Sequence, residues 1–203
     1  AYICTEEQKP ILIKDLFKDN ELHKVILFSS SKAKVREVRK TLQSIGLKAD
    51  EMHSDLTQAQ RDSVMHEFRN GRIDVLVATD IVSRGIDIDD IPLVINYDVP
   101  SDAEDYVHRI GRTARAANSG MAITLVSEND QTRFKAIEDF LEKDIYKIPL
   151  PDGLEAPPYA PKHKERYHRP CGNRQERQQP HQRWKKNTRH HNKPKTNNIE
   201  QNK

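Results

Sequence analysis

Short apolar runs alternate with amphipathic helical segments along the first 150 residues, and this alternation constrains the fold more than any other feature. Val25–Phe28 is an unbroken apolar run, which is typical of a strand buried on both faces of a parallel sheet. The next segment places Val35, Val38 and Leu42 on one face of a helix. Because such alternation requires crossover connections, it predicts an α/β fold with helices on both faces of a mostly parallel central sheet.

Local signals mark where the predicted elements begin and end. Thr5–Gln8, Thr57–Gln60 and Ser101–Glu104 each match the capping box, in which Ser or Thr precedes Glu or Gln by three positions. Ser31 can cap another helix, which Gly46 would end. The predicted strands cover residues 25–28, 49–53, 73–78, 93–97, 121–126 and 146–150. Ligands bind at the carboxyl ends of parallel strands, so the segments just after strands are the candidates for function.

The distribution of charge divides the chain into two predicted domains, residues 1–150 and residues 151–203. The second part holds 13 Lys and Arg against 5 Asp and Glu, a net charge of +8, which leaves 21 against 26 for the first part. The second part is also poor in aliphatic residues, so it cannot bury enough apolar area to offset the entropy of ordering. We therefore expect a disordered basic tail that binds a polyanion through charge.

Cysteine content and hydropathy bear on the compartment. Cys4 and Cys171 stand alone without a CxxC pair, which favours a reducing environment. No apolar run approaches the roughly 20 residues that a transmembrane helix needs, and the first residues do not resemble a signal peptide. We expect a cytoplasmic protein without membrane contact. Because the chain starts without an initiator Met, we also expect it to be a piece of a longer protein.

The segment from Tyr106 to Arg115 carries the strongest chemical signal. Arg109, Arg112 and Arg115 are spaced by three residues and would share one face as long as the segment stays helical. Guanidinium groups stay charged and bind phosphate oxygens in a fork, so the cluster suits a polyphosphate whose charge shifts during reaction. A solvated basic helix face is the alternative, but Gly111 interrupts the helix and small residues crowd the turn.

Two further segments are candidates for binding phosphate. Thr79–Asp87 leaves the end of a predicted strand, where Thr79 can donate a hydroxyl to a phosphate and Gly85 permits close approach of the main chain. A capped loop between a strand and a helix explains this segment equally well. Gln58–Arg61 opens a helix whose N-terminal dipole, together with Arg61, attracts phosphate, although a capped surface helix is the simpler account.

Together, these segments resemble the second RecA-like domain of superfamily 2 helicases, and the DEAD-box family of RNA helicases in particular. The matching segments are Val25–Ser31 for motif IV, Gln58–Arg61 for the QxxR element, Thr79–Asp87 for motif V and His108–Arg115 for motif VI, HRxGRxxR. They cover essentially residues 1–150, in order and at the family's spacing. The segment Ala78–Asp87 and the basic tail resemble bacterial RhlE-type members most.

The resemblance implies a RecA-like three-layer sandwich and assigns the catalytic positions. Arg112 and Arg115 would reach the phosphates of ATP, with Arg115 as the arginine finger that stabilises the transition state. His108 and Arg109 would face the acidic motif of a partner domain and the attacking water. The family commonly has Gly where this chain has Ala114, so the backbone there decides where Arg115 points.

The resemblance also assigns binding residues. Asp87 would contact the ribose of ATP, with Gly85 beside it. The sugar-phosphate backbone of RNA would be held by Ser29, Arg61, Thr79 and Arg84. Proteins of this family read RNA by shape and by its 2′-hydroxyls, which fits the lack of a base-reading set of side chains.

Several parts of the family's ATP site are missing from this sequence. It contains no GxxxxGK[ST] loop, no Asp-Glu-Ala-Asp and no Q-motif, and phosphoryl transfer depends on all of these parts. The resemblance places them on an N-terminal RecA-like domain of the same protein, which would carry the Mg²⁺ ligands and contact this chain. We therefore predict a monomeric ATP-dependent RNA helicase whose C-terminal half, this chain, is inactive alone.

The sequence leaves two other functions open and contains two groups of residues that superficially resemble metal sites. A DNA-acting superfamily 2 translocase domain and a non-enzymatic RNA-binding module remain alternatives. The tail histidines lack the fixed spacing of metal ligands. Asp87, Asp89 and Asp90 lack the glycine and the bidentate glutamate of a calcium loop, so we expect no metal site on this chain.

Overall fold

Six parallel strands form the central sheet in the computed structural model, which describes residues 1–18, 22–80, 91–113 and 120–161. Within these ranges the strands are β1 (Tyr2–Ile3), β2 (Val25–Ser29), β3 (Ala49–Met52), β4 (Val75–Thr79), β5 (Leu93–Asn96) and β6 (Met121–Val126). The helices are α1 (Lys9–Lys18), α2 (Lys32–Ser44), α3 (Gln58–Arg69), α4 (Ala103–Ile110) and α5 (Gln131–Phe140). None of these helices has the length and apolarity needed to cross a membrane.

The strands lie in the order β1-β6-β5-β2-β4-β3, and each pair of neighbours is parallel. In the middle of the sheet, Phe28 of β2 lies opposite both Ala78 of β4 and Asn96 of β5. The chain fills one side of β2 with β3 and β4 and then crosses to the other side with β5. The strand order therefore reverses beside the carboxyl end of β2, which is where ligands bind in sheets of this kind.

Successive residues of the strands enter two different apolar clusters. Val25 and Leu27 of β2 pack with the buried faces of α1 and α2 on one side of the sheet. Ile26 and Phe28 pack on the other side, together with Phe68 of α3. A third cluster joins the end of β6 to α4 and α5. Helices thus cover both faces of the sheet, which confirms the predicted α/β architecture.

The predicted ends of α2 and α3 are confirmed, whereas α1 begins at Lys9 and not directly after Thr5 as predicted. The Ser31 side chain caps α2, and Thr57 opens α3 through a complete capping box. Gly46 adopts a φ of +88° after α2, a left-handed conformation that favours glycine. At α4 the prediction was wrong by one position, because Asp102 rather than Ser101 accepts the backbone N–H. A carboxylate at this position also interacts favourably with the helix dipole.

Two extended segments differ from the prediction. β1 was not predicted, because two residues are too few for a periodic pattern, yet it pairs with β6. The predicted strand at residues 146–150 is an extended segment with only two backbone hydrogen bonds to Ala1. The Ala1 amino group donates to the Tyr146 carbonyl at 2.6 Å, and the Ile148 N–H donates to the Ala1 carbonyl at 2.7 Å. Contacts to a single residue do not form a ladder.

The segment that follows α5, residues 144–161, contacts that helix near both ends of the segment and is called the C-terminal strap below. Two buried side chains, seven positions apart on α5, hold it. Gln131 donates to the Pro158 carbonyl at 2.8 Å and accepts from the Ala160 N–H at 2.7 Å. Glu138 accepts from the Tyr159 hydroxyl at 3.0 Å and from the N–H of residue 145 at 2.9 Å. Residues 151–161, which the sequence assigns to the tail, therefore pack against the body.

We expect truncation after Leu150 to destabilise the body, and truncation after Pro161 to leave its stability unchanged. Loss of residues 151–161 removes the hydrogen bonds of Gln131 to Pro158 and Ala160 and the packing of Tyr159 against Phe134. The expected loss is about 2–4 kcal/mol in the free energy of unfolding. Urea unfolding of residues 1–150, of residues 1–161 and of the whole chain measures it. Equal midpoints for all three would show that the strap is not part of the folded body.

Candidate functional site

The carboxyl ends of β2, β4 and β5 bring together residues that the sequence singles out far apart. Ser29 and Thr79 are the last residues of β2 and β4 and lie opposite each other in the sheet. Arg109 of α4 reaches the ends of two strands. Its Nε donates to Asp80 at 2.6 Å, just after β4, and its Nη1 donates to Oδ1 of Asn96 at 3.0 Å, at the end of β5. We call the carboxyl ends of the strands of this sheet, including β3, the carboxyl edge.

Arg109 lies inside the domain and does not face outwards. Its side chain is 0% exposed, its Nη1 also donates to the Asp98 carbonyl at 2.8 Å, and its guanidinium lies 5.2 Å from the ring centre of Phe28. Arg109 follows Tyr106 by three positions, so both point to the buried face of α4. The expectation that Arg109 faces the attacking water is therefore revised. Its contacts are those of a residue that fixes α4 to β4 and β5.

Asp98, just after β5, is a buried carboxylate that accepts four hydrogen bonds. Ser29 Oγ, the Ser30 N–H and Lys34 Nζ each donate to it at 2.8 Å, and Lys9 Nζ donates at 3.1 Å. Burial alone would raise the pKa of Asp98, but the charge of Lys9 and the hydrogen bonds outweigh it and hold the pKa well below its usual range. Asp98 therefore remains ionised while it connects β5 to the loop after β2.

Lys9 of α1 is fully buried and neutralises a group of three carboxylates. Its Nζ lies 2.8 Å from Glu6, 3.1 Å from Asp98 and 3.7 Å from Asp130. It also lies 5.3 Å from the ring centre of Tyr97. The carboxylate oxygens approach one another closely enough to resemble a metal site. Because an ammonium group is already within ion-pair distance of all three, this acidic group pairs with an internal cation.

The hydroxyl of Ser29 is fully buried and donates to Asp98, so it is not presented to a ligand as the resemblance implied. β2 is buried on both faces up to its last residue. The first exposed residues after it are Ser30 and Ser31, and the Ser31 side chain also caps α2. These two serines, rather than Ser29, are the groups that a ligand at this part of the carboxyl edge would meet.

Arg112 and Arg109 do not share a helical face. α4 ends at Ile110, and Arg112 lies half-buried in the turn that follows. Two backbone hydrogen bonds hold this turn: the Arg112 N–H donates to the Arg109 carbonyl, and the Arg112 carbonyl accepts from the Ile91 N–H, both at 3.2 Å. His108 is exposed on α4. Of the predicted catalytic residues that the structure describes, His108 is exposed and Arg112 is half-buried, whereas Arg109 is enclosed.

Gly120, just before β6, makes the packing of the arginine-bearing turn possible. A Cβ atom at this position would lie 2.4 Å from the Cβ of Thr113 and 2.2 Å from its carbonyl oxygen. Such distances are far below van der Waals contact, so only glycine fits. The close approach of this glycine braces the turn that carries Arg112.

Thr79 and Arg61 are the remaining described residues of the predicted RNA set. The Thr79 hydroxyl is buried and has no hydrogen-bond partner among the residues that the structure describes. Since buried hydroxyls are nearly always paired, this donor fits a partner that comes from elsewhere. Arg61 lies in the first turns of α3, half-buried, and its Nη2 donates to the Ser54 carbonyl at 3.4 Å. This contact places Arg61 near the carboxyl end of β3.

Four predicted site residues lie outside the described residues: Arg84, Gly85, Asp87 and Arg115. Ala114, where the sequence departs from the family pattern, lies outside them as well. The roles assigned to these residues stay predictions.

We expect Asp98→Asn to flatten the loss of stability in acid. An aspartate in an unfolded chain titrates near pH 4, whereas the folded chain keeps Asp98 ionised to lower pH. As the pH falls below about 4, only the unfolded chain takes up this proton, so the folded state loses stability. The variant should lower the proton uptake on unfolding by up to about one between pH 4 and pH 2.

The measurement is the urea-unfolding free energy of the chain at a series of acidic pH values. Asp152→Asn changes an exposed carboxyl and serves as the matched control. An Asp98→Asn profile parallel to that of the control would show that this carboxylate does not gain its low pKa from the folded state.

The sequence matches a known family and known proteins over much of its length. Residues 8–117 match the family described as "helicase conserved C-terminal domain". The chain is 45% identical over 131 residues to the ATP-dependent RNA helicase CshA of Listeria monocytogenes, a match that covers 64% of this chain and 25% of the relative. The chain spans only 25% to 38% of the length of the curated relatives that it matches.

Solved structures show the same arrangement of elements. The structure of the Escherichia coli DEAD-box protein SrmB bound to regulator of ribonuclease activity A superposes with a TM-score of 0.71 at 34% identity, covering 80% of this chain and 95% of that one. The structure of Saccharomyces cerevisiae Dbp5 bound to RNA and ADP BeF3 superposes with a TM-score of 0.66 at 31% identity, covering 72% of this chain and 39% of that one.

Proposed function

Because this chain belongs to the helicase conserved C-terminal domain family and, within it, to the DEAD-box proteins, we propose that it is the C-terminal half of an ATP-dependent RNA helicase. One observation carries the proposal. The carboxyl edge, where the strand order reverses, holds the Thr79 hydroxyl, which has no hydrogen-bond partner among the residues that the structure describes, and Arg61 lies near this edge at the end of β3. A nucleotide and an RNA backbone both present phosphates, which such groups recognise.

The residues of this chain fit the phosphates of ATP, whose hydrolysis would supply the free energy for separating RNA strands. Arginine side chains bind phosphate oxygens, and Arg112 stands in a turn whose backbone is held in place before a phosphate arrives. Arg115, three residues further along, would complete the pair. His108 is exposed on α4 and would face a partner domain.

The carboxylates that the structure describes do not fit Mg²⁺ at this edge. The group formed by Glu6, Asp98 and Asp130 already contacts the Lys9 ammonium. We therefore propose that the Mg²⁺ ligands belong to an N-terminal RecA-like domain. That domain would also supply the phosphate-binding loop, which this sequence lacks.

Several groups along the carboxyl edge support contact with an RNA backbone. Arg61 carries a positive charge near the N-terminus of α3, where the helix dipole also attracts phosphate. Ser30 and Ser31 expose hydroxyls after β2, and the net charge of +8 in residues 151–203 supports further electrostatic contact. The relatives are named RNA helicases, so no observation favours the DNA-acting alternative.

Three finer points are part of the proposal. We propose a monomer and a cytoplasmic location, the latter supported by the Cys4 thiol, which is free and buried. Burial raises the pKa of this thiol to about 11, which keeps it unreactive. The residues of motif V and the basic tail support an RhlE-type identity.

The test compares this chain alone with a two-domain protein in which an N-terminal RecA-like domain precedes it. We expect the chain alone to release no phosphate from ATP above background, with or without RNA, because half of the ATP site is missing. The two-domain protein should hydrolyse ATP in response to RNA and not to a DNA strand of the same sequence. RNA-stimulated hydrolysis by the chain alone, abolished by Arg112→Ala, would overturn the proposal.

A further inference from the structure

The loop after β2 is hydrogen-bonded to the buried carboxylate of Asp98. Ser30 and Ser31 are exposed at the carboxyl edge, where the proposed function places an RNA phosphate. The Ser30 N–H donates to Asp98 at 2.8 Å, and the Ser29 hydroxyl donates to the same carboxylate at 2.8 Å. Asp98 therefore holds the loop from its buried side, through Ser29 and Ser30.

A carboxylate beneath a phosphate site creates an electrostatic conflict. Charges of the same sign repel each other, so an uncompensated Asp98 would oppose the binding of a polyanion. Two ammonium groups neutralise it from different sides. Lys34 of α2 is partly exposed and contacts Asp98 at 2.8 Å, whereas Lys9 of α1 is fully buried and contacts it at 3.1 Å.

We propose that Lys9 is a positioning residue for RNA binding that acts through Asp98, holding this carboxylate ionised and in place under the Ser30–Ser31 loop. This inference rests on the proposed function and extends it to a residue that touches neither RNA nor ATP. Lys9 is suited to the task because its position is fixed by Glu6, Asp130 and the ring of Tyr97, as well as by Asp98.

The arrangement also gives Lys34 freedom to respond to RNA. Lys34 is shared between Asp98 and Glu6, at 2.8 and 3.2 Å, and its side chain is 36% exposed. When a phosphate binds at the loop, Lys34 can turn towards it without leaving the charge of Asp98 uncompensated, because Lys9 stays paired with Asp98. The carbonyl of Asp98 meanwhile accepts from Arg109, so the same residue connects the loop to the helix before Arg112.

The experiment measures RNA-stimulated ATP hydrolysis of the two-domain protein as a function of RNA concentration. Lys9→Met should raise the RNA concentration for half-maximal activity roughly tenfold, as for loss of a charged hydrogen bond, while maximal turnover per folded molecule changes less than about twofold. A purely structural role would instead reduce the folded fraction, and with it maximal turnover, at an unchanged half-maximal RNA concentration. Lys14→Met, an exposed position on the same helix, is the matched control and should change neither value.

Asp98→Asn provides a second, less disruptive variant, because it keeps the shape of the side chain. It should also raise the half-maximal RNA concentration, and this variant decides the matter if Lys9→Met does not fold. In the Asp98→Asn background, Lys9→Met should add less than about a twofold change, since the two residues act as one unit. A full, independent effect of Lys9→Met in that background would overturn the proposal.

Arg61→Ala separates failure of this inference from failure of the proposed function. If the two-domain protein shows no response to RNA at all, the proposed function is wrong. If it responds, and Arg61→Ala raises the half-maximal RNA concentration whereas Lys9→Met and Asp98→Asn leave it unchanged, only the positioning role of Lys9 is wrong.

Discussion

Replacing Arg112 or Arg115 by Ala is expected to lower the ATP turnover of the two-domain protein by roughly 10³–10⁵, the range that arginine fingers contribute in related chemistry. Negative charge on the transferred phosphoryl group is stabilised by donors that are already in place. Arg112 meets this condition, because its backbone is held by Ile91 and Arg109 and its turn packs against Gly120. RNA affinity should change little, since the expected RNA contacts lie at the ends of β2, β3 and β4.

Single-turnover hydrolysis at saturating RNA, together with RNA binding by fluorescence anisotropy, measures the two effects separately. Arg61→Ala is the matched control, because it also removes one guanidinium from the carboxyl edge. It should weaken RNA binding more than turnover at saturating RNA. Near-normal turnover of Arg112→Ala would remove Arg112 from the transition state, and the same outcome for Arg115→Ala would remove Arg115.

Arg109→Met is expected to destabilise the chain by roughly 3–5 kcal/mol, because two buried acceptors and one partly exposed carboxylate lose their donor. Methionine approximates the length of arginine but donates no hydrogen bond. The variant leaves the carboxylate of Asp80, the side-chain oxygen of Asn96 and the carbonyl of Asp98 without the donors that Arg109 supplies. Turnover should then fall through loss of the fixed position of α4.

Urea unfolding of this chain measures the change in stability. Arg36→Met serves as control, because Arg36 pairs with Asp55 at the surface, where an ion pair contributes little to stability. If Arg109→Met kept the unfolding midpoint of the original chain but lost turnover in the two-domain protein, Arg109 would act on the reacting atoms directly. That result would restore the role that the family resemblance assigns to it.

Sequence patterns predicted the strands and helices well where burial follows a simple period. The strands of a parallel sheet are buried on both faces and therefore stand out as apolar runs, as Val75–Thr79 and Leu93–Asn96 do. Ser31 and Thr57 were identified as caps because capping depends on neighbours in the chain. β1 escaped prediction, since a two-residue strand is defined by its partner β6 and not by its own pattern.

The site was predictable in its location but not in the direction of its side chains. The sequence predicted strands that end at Phe28 and Ala78, directly before Ser29 and Thr79. In the structure these two residues are the last of β2 and β4 and lie opposite each other. The burial of Arg109 did not follow, because its partners Asp80 and Asn96 come from strands on opposite sides of β2. Strand order is a property of the whole fold.

One signal for the buried network was present in the sequence. Lys9 falls in line with Leu12, Ile13 and Phe17, which form the buried face of α1. A lysine in such a line is enclosed only if a carboxylate pairs with it. The partner Asp98 is 89 positions away, so pattern analysis of α1 alone could not find it.

The pairing of β1 with β6, and of Ala1 with residues 146 and 148, has a consequence for biosynthesis. The hydrogen bond between Ala1 and Tyr146 joins residues 145 positions apart. Contacts of such long range form slowly, and a ribosome adds residues one at a time. The edge of the sheet at β1 must therefore wait, unpaired, until nearly all of this domain has left the ribosome. Until then its backbone groups are open to pairing with other chains, which makes this stage the period of greatest exposure to aggregation.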